Sequence, residues 1–252
     1  MGHLPYCLGS VAGINLTPWK GALDPYELKA RLAPALLVIL PPALAGIAWF
    51  PGFSWTGVLA TTVVTCGGTV LLAQVGRDLG KRKEDWLFTK WGGRPSTIRL
   101  RHRTLGTNKV TLAKYHTKLS KLLKRKFPTQ AQEDDEPAAA DELYEAGATF
   151  LRVNTRDVKK FPLVFKENCN YGFRRNLWGM KRLGISVSAV GLGLMGARIA
   201  YLKDSGDLGL PLACAAVDLG MLLGWIFWFR PDWVRLAADA YAKELVEACE
   251  KL

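Results

Sequence analysis

The sequence predicts an α-helical membrane protein in which four transmembrane helices, arranged as two hairpins, flank a mainly helical cytoplasmic domain. The first observation is the presence of four long apolar runs, at residues 32–50, 53–76, 183–201 and 208–229. Each is long enough for a helix to cross a bilayer, which takes about 17–25 residues. The four runs contain two charged residues, Arg198 and Asp218. Four buried helices of a soluble core are the alternative, and this scarcity of charge disfavours them.

The second observation is the concentration of basic residues between the two hairpins. Residues 77–182 carry 25 Lys and Arg against 12 Asp and Glu, which accounts for the whole net charge of +12. Positively charged loops stay on the cytoplasmic side of a membrane. We therefore expect this segment and both the N and C termini to be cytoplasmic, with the basic residues close to the anionic headgroups of the bilayer.

These patterns divide the chain into five predicted segments. They are a cytoplasmic N-terminal arm (1–31), transmembrane hairpin 1 (32–76), a basic cytoplasmic domain (77–182), transmembrane hairpin 2 (183–229) and a C-terminal amphipathic helix (230–252). Within the basic domain, residues 128–140 are acidic and rich in alanine and proline, a composition typical of a mobile linker.

Local patterns within the basic domain predict helices and one ambiguous segment. Residues 111–126 place Leu112 and Leu119 on one apolar stripe, and residues 141–157 place Leu143, Ala146, Phe150 and Leu151 on another. The segment TIRLRHR, residues 97–103, fits either a strand or a helix that begins at Ser96. As a strand it would present its three arginines on one face.

The basic excess indicates an anionic partner. Lipid headgroups, a nucleotide or cyclic oligonucleotide, and a long nucleic acid are the three alternatives. Arginines bind phosphate and aromatic rings stack on bases, so we predict a ligand site from residues of both kinds. The candidates are Arg99, Arg101, Arg103, Tyr171, Phe173, Arg174 and Arg175. Because residues 171–175 lie shortly before an apolar run, they could instead anchor the rim of the membrane.

Three glycines and one carboxylate within the apolar runs are candidates for helix assembly or for a pore. Gly193 belongs to a row of small residues in the third run, and Gly220 and Gly224 belong to a row in the fourth. Such rows let helix backbones approach closely in lipid. Asp218 lies near the middle of the fourth run, where ionisable residues usually face a bundle interior or water. Since it is about 200° around the helix from Gly220, we expect it to face away from the third run.

No pattern predicts catalysis, a metal site or a cofactor. The five cysteines are widely spaced, and the three histidines lack a partner at a diagnostic spacing. The motif GLGLMG at 191–196 has the spacing of a dinucleotide fingerprint, but it lies inside an apolar run with no preceding strand. We therefore expect a protein that is not an enzyme.

Three segments carry a resemblance to a known group of proteins. WGGRPS (91–96), LRVNTRD (151–157) and ENCNYGFRRNLWGMK (167–181), placed between two pairs of apolar runs, resemble uncharacterised bacterial four-transmembrane proteins associated with antiphage-defence loci. The resemblance implies a four-span effector of a bacterial inner membrane. Such an effector would form a homo-oligomer and permeabilise or depolarise the membrane. Its trigger would be a cyclic oligonucleotide, or a defence-system partner protein, that engages the cytoplasmic domain.

Two other functions remain open at this stage. Asp218 could bind a proton or cation in a small ion channel or transporter. Alternatively, the C-terminal helix and the basic domain could recruit a soluble partner to a membrane scaffold.

Overall fold

The computed structural model describes residues 25–50, 52, 55–104, 108–204 and 206–252, without the side chains of residues 55–66. Its regular elements are helical, and no strand occurs among the described residues. The helices, in chain order, are α1 (Glu27–Trp49), α2 (Trp55–Arg82), α3 (Glu84–Trp91), α4 (Pro95–Ile98), α5 (Lys109–Leu123), α6 (Gln130–Asp135), α7 (Pro137–Asn154), α8 (Pro162–Gly179), α9 (Lys181–Leu202), α10 (Gly209–Trp228) and α11 (Pro231–Glu247). A short 3₁₀ helix, Ala248–Lys251, follows α11.

Three of these helices, α1, α9 and α10, are long and apolar enough to cross a membrane. They pack on one another, and each also exposes large apolar side chains, among them Leu36, Val190 and Val217, which are 54%, 63% and 51% exposed. Apolar surface of this extent is typical of a membrane-facing region. The structure is therefore compatible with a multi-pass membrane protein.

The predicted second span, residues 53–76, falls on α2, a helix of 28 residues. Its first part belongs to the segment whose side chains are outside the described residues, so four spans remain a prediction. The predicted N-terminal arm is likewise outside the description up to residue 24. Its last part does not form a separate helix: Glu27–Leu32 is the first, π-helical part of α1.

The remaining helices form a body with two apolar clusters. The first is built by α5, α7, α8 and the end of the chain, and it includes Leu119, Tyr144 and Leu245. The second joins α3 to α8 and α11 and includes Leu87 and Val234. The segment that we predicted as a C-terminal amphipathic helix is thus part of this body, and its apolar stripe is covered by the chain itself.

Residues 128–140 differ from the mobile linker that their composition predicts. The segment contains α6 and the start of α7, and a capping box between Thr129 and Gln132 closes the first turn of α6. Its acidic residue Glu133 is fully buried. Burial is possible because four donors surround the carboxylate: the backbone amides of His102 and Arg103, the Arg103 guanidinium and the Tyr144 hydroxyl.

The buried face of α7 agrees in part with the stripe that the sequence predicts. Leu151 is buried as expected and Leu143 packs against the first cluster. Ala146 is exposed instead, and the other buried residues of the helix include Ala140, Tyr144 and Gly147. The Tyr144 hydroxyl donates to Glu133 at 2.6 Å, a polar contact that apolar periodicity does not predict.

We expect Glu133→Gln to destabilise the helical body by about 1–3 kcal/mol, because the amide cannot accept all four hydrogen bonds and loses the Arg103 ion pair. Burial opposes ionisation of Glu133, but the hydrogen bonds outweigh it and lower its pKa. Its contribution is therefore present at neutral pH and is lost as the pH falls through that lowered pKa. Thermal unfolding of the purified protein across acidic pH measures both effects. The exposed Glu136→Gln is the control, and equal stability of the two variants would contradict the assignment.

Candidate functional site

Helix α8 contacts both the body that holds the two apolar clusters and the long apolar helix α1. Three glycines bring it close to its neighbours. A Cβ atom built at Gly179 would lie 2.6 Å from the backbone nitrogen of Gly80 in α2. One built at Gly172 would lie 2.9 Å from the Cβ of Ala30 at the start of α1. Real Cβ atoms do not approach other atoms so closely, so both contacts require glycine.

Three polar side chains of α8 tie it to α1 and α3. The buried amide of Asn176 donates to the backbone carbonyl of Ala30 at 2.8 Å and accepts from Arg175. Arg175 donates in turn to Glu84 of α3 at 2.9 Å. The Tyr171 hydroxyl donates to the same carboxylate oxygen at 2.6 Å. One carboxylate therefore holds both Tyr171 and Arg175 in place.

This network shifts the pKa of its members. Burial, followed by the negative charge of Glu84, raises the pKa of Tyr171 far above its ordinary value. Burial opposes the charge on Arg175, but Glu84 outweighs it and raises the pKa of the guanidinium. The Tyr171 ring stacks parallel to Tyr241 of α11, at 6.3 Å between centroids, and burial raises the pKa of Tyr241 to about 12. Arg175 therefore stays charged and both tyrosines stay neutral at physiological pH.

Next to this network lies a cavity of about 360 Å³, which we call the joint cavity. Its lining comes from the start of α1, the end of α2, and helices α3, α4, α7, α8 and α11. The basic lining residues are Arg31, Arg77, Lys81, Arg94, Arg152 and Arg175. The acidic ones are Glu84 and Asp85, and the aromatic ones are Tyr26, Phe88, Tyr171 and Tyr241. The volume lies within the range of small-molecule sites.

The basic residues of the joint cavity differ in their pairing. Arg31 pairs with Glu27, Arg94 with Glu145 and Arg175 with Glu84. By contrast, Arg77 and Lys81 form no ion pair or hydrogen bond with any residue that the structure describes. They lie four residues apart on α2 and so project from the same face of the helix. The cavity therefore combines a surplus of positive charge with aromatic surface.

The seven predicted ligand residues do not come together at one place. Tyr171 and Arg175 line the joint cavity. Arg174 and Phe173 instead contact Trp233: the Arg174 guanidinium lies 4.8 Å from the ring centroid and donates to the Trp233 carbonyl, and Phe173 packs edge-on. These contacts are compatible with a role at the membrane rim, which stays a prediction.

Residues 97–103 take neither the strand that would align the arginines nor a long helix. Only the short α4, Pro95–Ile98, forms before the chain turns. Arg101 donates to both carboxylate oxygens of Asp141 at 2.7 Å, and Arg103 bridges Asp141 and Glu133. Arg99 lies close enough to Asp239 to act on its charge. The acidic residues of α6 and α7 thus neutralise two of the three arginines, and a ligand role for them stays a prediction.

A break separates α8 from α9. Met180 lies between the two helices with φ −85° and ψ 4°, so α8 does not continue straight into the long apolar helix α9. The Lys83 ammonium donates to the Gly179 carbonyl at 3.0 Å and replaces part of the interrupted helical hydrogen bonding. Burial, followed by the nearby charges of Arg182 and Lys181, lowers the pKa of Lys83.

The membrane residues that we singled out have different neighbours from those expected. No described atom lies within 4 Å of a Cβ built at Gly193, Gly220 or Gly224. Helices α9 and α10 meet instead at Gly184, which lies against the Trp225 ring, and at Gly191, which lies against Asp218. Asp218 therefore faces α9, contrary to our expectation, and the predicted small-residue rows lie outside the packing of this chain.

Sequence reasoning missed three cations of the joint cavity, Arg77, Lys81 and Arg152. The first two were recognised as part of the basic excess, but their convergence with residues of α7 and α8 is a tertiary feature. Their i, i+4 spacing on a helix end was the available signal. Among the described residues, no group of histidine, cysteine and carboxylate side chains could hold a metal ion.

A scan against protein-family models and searches of curated proteins and of solved structures found no match to this chain. The function therefore has to be inferred from the residues and their geometry.

We expect Gly179→Ala to destabilise the protein, because the added methyl group meets the Gly80 backbone rather than a flexible side chain. Gly193→Ala makes the same chemical change in open space within a helix. It should be neutral or stabilising by up to about 1 kcal/mol, since alanine has the higher helix propensity. Thermal unfolding of both variants in the same detergent makes the comparison. Equal melting temperatures would show that α8 and α2 do not approach as described.

Proposed function

We propose that this protein is a non-enzymatic effector of a bacterial inner membrane, and that a phosphate-bearing ligand regulates it by binding in the joint cavity. The observation that carries the proposal is the lining of the cavity. Cations that no described residue neutralises stand beside aromatic rings, and both come from the helices that connect the cytoplasmic body to the membrane region.

The lining suits a nucleotide or cyclic oligonucleotide. Phosphate oxygens would interact with Arg77, Lys81 and Arg152, since guanidinium and ammonium groups are the usual phosphate partners in proteins. The exposed surface of Phe88 or Tyr241 offers a ring on which a base can stack. An anionic lipid headgroup shares the phosphate chemistry but not the stacking, and it provides the alternative source of the ligand.

The position of the cavity supports coupling to the membrane helices. Its cations lie on α1, α2, α7 and α8, so a ligand that binds several of them holds these helices at fixed distances. The break at Met180 lets α8 and α9 change their relative angle without breaking a continuous helix. A ligand shifts such an equilibrium only if it binds one arrangement more tightly than the other.

We further propose that the active form is a homo-oligomer that permeabilises or depolarises the membrane. The small-residue rows support this step, because Gly193, Gly220 and Gly224 remain open on the surface of α9 and α10. The same proposal includes the four-span topology with cytoplasmic N and C termini. It also includes the link to antiphage defence and, as an alternative trigger, activation by a partner protein. They rest on the charge pattern and on the resemblance described above.

The combined substitution Arg77→Gln and Lys81→Gln should weaken binding of cyclic di- and trinucleotides by at least about tenfold. Each lost contact between a cation and a phosphate is worth about 1.5–3 kcal/mol. Calorimetric titration of the purified protein in detergent measures the change. The matched control is Lys121→Gln with Arg125→Gln, an exposed pair with the same spacing outside the joint cavity.

The same variants distinguish the two sources of phosphate. Nucleotide binding to the wild type and the control, with loss in the cavity variant, supports the proposal. If the wild type binds phosphatidylglycerol vesicles but no nucleotide, the cavity is instead a site for lipid headgroups.

In cells, co-expression with a cyclic-oligonucleotide synthase should depolarise the membrane for the wild type and the control. Unchanged growth and membrane potential in both conditions would contradict the effector function.

Gly220→Leu should reduce the oligomeric fraction of the purified protein, because the larger side chain keeps the helix backbones of neighbouring copies apart. Gly46→Leu, a substitution at another open position on α1, should leave it unchanged. Light scattering after gel filtration, together with cross-linking in membranes, measures the assembly. A monomeric wild type, or an equal loss in both variants, would refute assembly through the small-residue row.

A further inference from the structure

Asp218 lies at a junction of three helices in the membrane region. It projects from α10 toward α9, where a Cβ built at Gly191 would lie 2.5 Å from its Oδ2 atom. Pro41 of α1 lies near the same point, with its Cβ 3.4 Å from the built atom. The side chain is completely buried. Glycine at 191 is therefore what leaves room for the carboxyl group.

The polar atoms at this junction lack partners. Neither oxygen of Asp218 accepts or donates a hydrogen bond within the part of the chain that the structure describes, and the same holds for the Ser188 hydroxyl. Ser188 is also fully buried, on α9, one turn before Gly191. It is the polar side chain next to Asp218 and lies near enough to act on the carboxyl group, but the two make no hydrogen bond of good geometry.

The surroundings offer acceptors but almost no donors. The Pro41 carbonyl lies 3.5 Å from the Cβ built at Gly191. Pro41 and Pro42 also have no N–H group, so the carbonyls of Leu37 and Val38 lose their α-helical donors. An ionised carboxylate is purely an acceptor and would find one donor here, the Ser188 hydroxyl.

No described basic side chain of the packed helices neutralises the carboxylate. On α9, Arg198 lies ten residues beyond Ser188, and its guanidinium donates to the Ala48 carbonyl and stacks over Trp49. Helix α1 has no charged residue between Ala33 and Trp49, and Asp218 is the one charged residue of α10. An unpaired charge in such an apolar enclosure is far less stable than the neutral acid.

From these observations we propose that Asp218 and Ser188 form a proton-binding site in the membrane region. The bound proton neutralises the carboxyl group and supplies the missing donor, which Ser188 or a carbonyl oxygen can accept after a small side-chain rotation. A proton fits better than a metal cation, because the Gly191 backbone lies directly against Oδ2 and leaves little space for a coordinated ion.

Proton release has a structural consequence. The ionised carboxylate needs water or a counter-ion, and neither can reach it while α10 stays packed against Gly191 and Pro41. Loss of the proton therefore favours separation of α10 from α9 and α1. The site is distinct from the joint cavity, and its test does not depend on a cytoplasmic ligand.

Infrared difference spectroscopy of the full-length protein in lipid tests the site. We expect a carbonyl-stretch band of a protonated carboxylic acid at neutral pH that is absent from Asp218→Asn and retained in Asp207→Asn, the control in the loop before α10. Ser188→Ala keeps the carboxyl group and should shift the band, because the acid loses its hydroxyl neighbour. This second variant preserves the test if Asp218→Asn fails to fold.

Three results would overturn the proposal. The first is the absence of an acid band in the wild type at neutral pH. The second is an acid band that neither variant affects: Ser188→Ala does not shift it, and Asp218→Asn does not remove it. The third is loss of the band on addition of Na⁺ at constant pH, which would assign the site to a metal cation.

Discussion

Gly179 of α8 and Gly80 of α2 approach each other so closely that neither position tolerates a side chain, and the positions of the other functional groups depend on this contact. It sets the height at which α8 crosses α2. Asn176, one turn before Gly179, thereby reaches the Ala30 carbonyl of α1, and Arg175 reaches Glu84 of α3. The joint cavity is the space left between these helices. A shift of α8 by one residue would therefore remove the cavity as well as the network beside it.

Hydropathy predicts the three long apolar helices well, because their length and composition are local properties of the sequence. Helices α1, α9 and α10 fall on three of the four apolar runs. The stripe of Leu112 and Leu119 on α5 is likewise buried as the periodicity predicts. These features depend on local composition, and neither requires knowledge of the partner helix.

Features that depend on pairing between distant segments could not be predicted from local composition. Arg101 and Arg103 look like a ligand site until Glu133 and Asp141, 30 to 40 residues away, occupy them. The glycines that pack α9 on α10 are Gly184 and Gly191, although the rows containing Gly193 and Gly220 have the better small-residue spacing. The spacing of small residues identifies positions where two helices can approach closely. The shape of the neighbouring helix determines at which of these positions the contact forms.

The body that holds the two apolar clusters is discontinuous in the sequence, and this affects the order in which its parts are made. Leu245 and Val246 belong to the same apolar cluster as Tyr115 and Tyr144, but α9 and α10 separate them in the chain. Because translation runs from the N terminus, α9 and α10 are synthesised before α11, the helix that closes this core. Until α11 is made, the apolar faces of α5, α7 and α8 lack part of their cover. The core therefore cannot close before both long apolar helices have been synthesised, and a chain that is truncated before α11 carries an incomplete core.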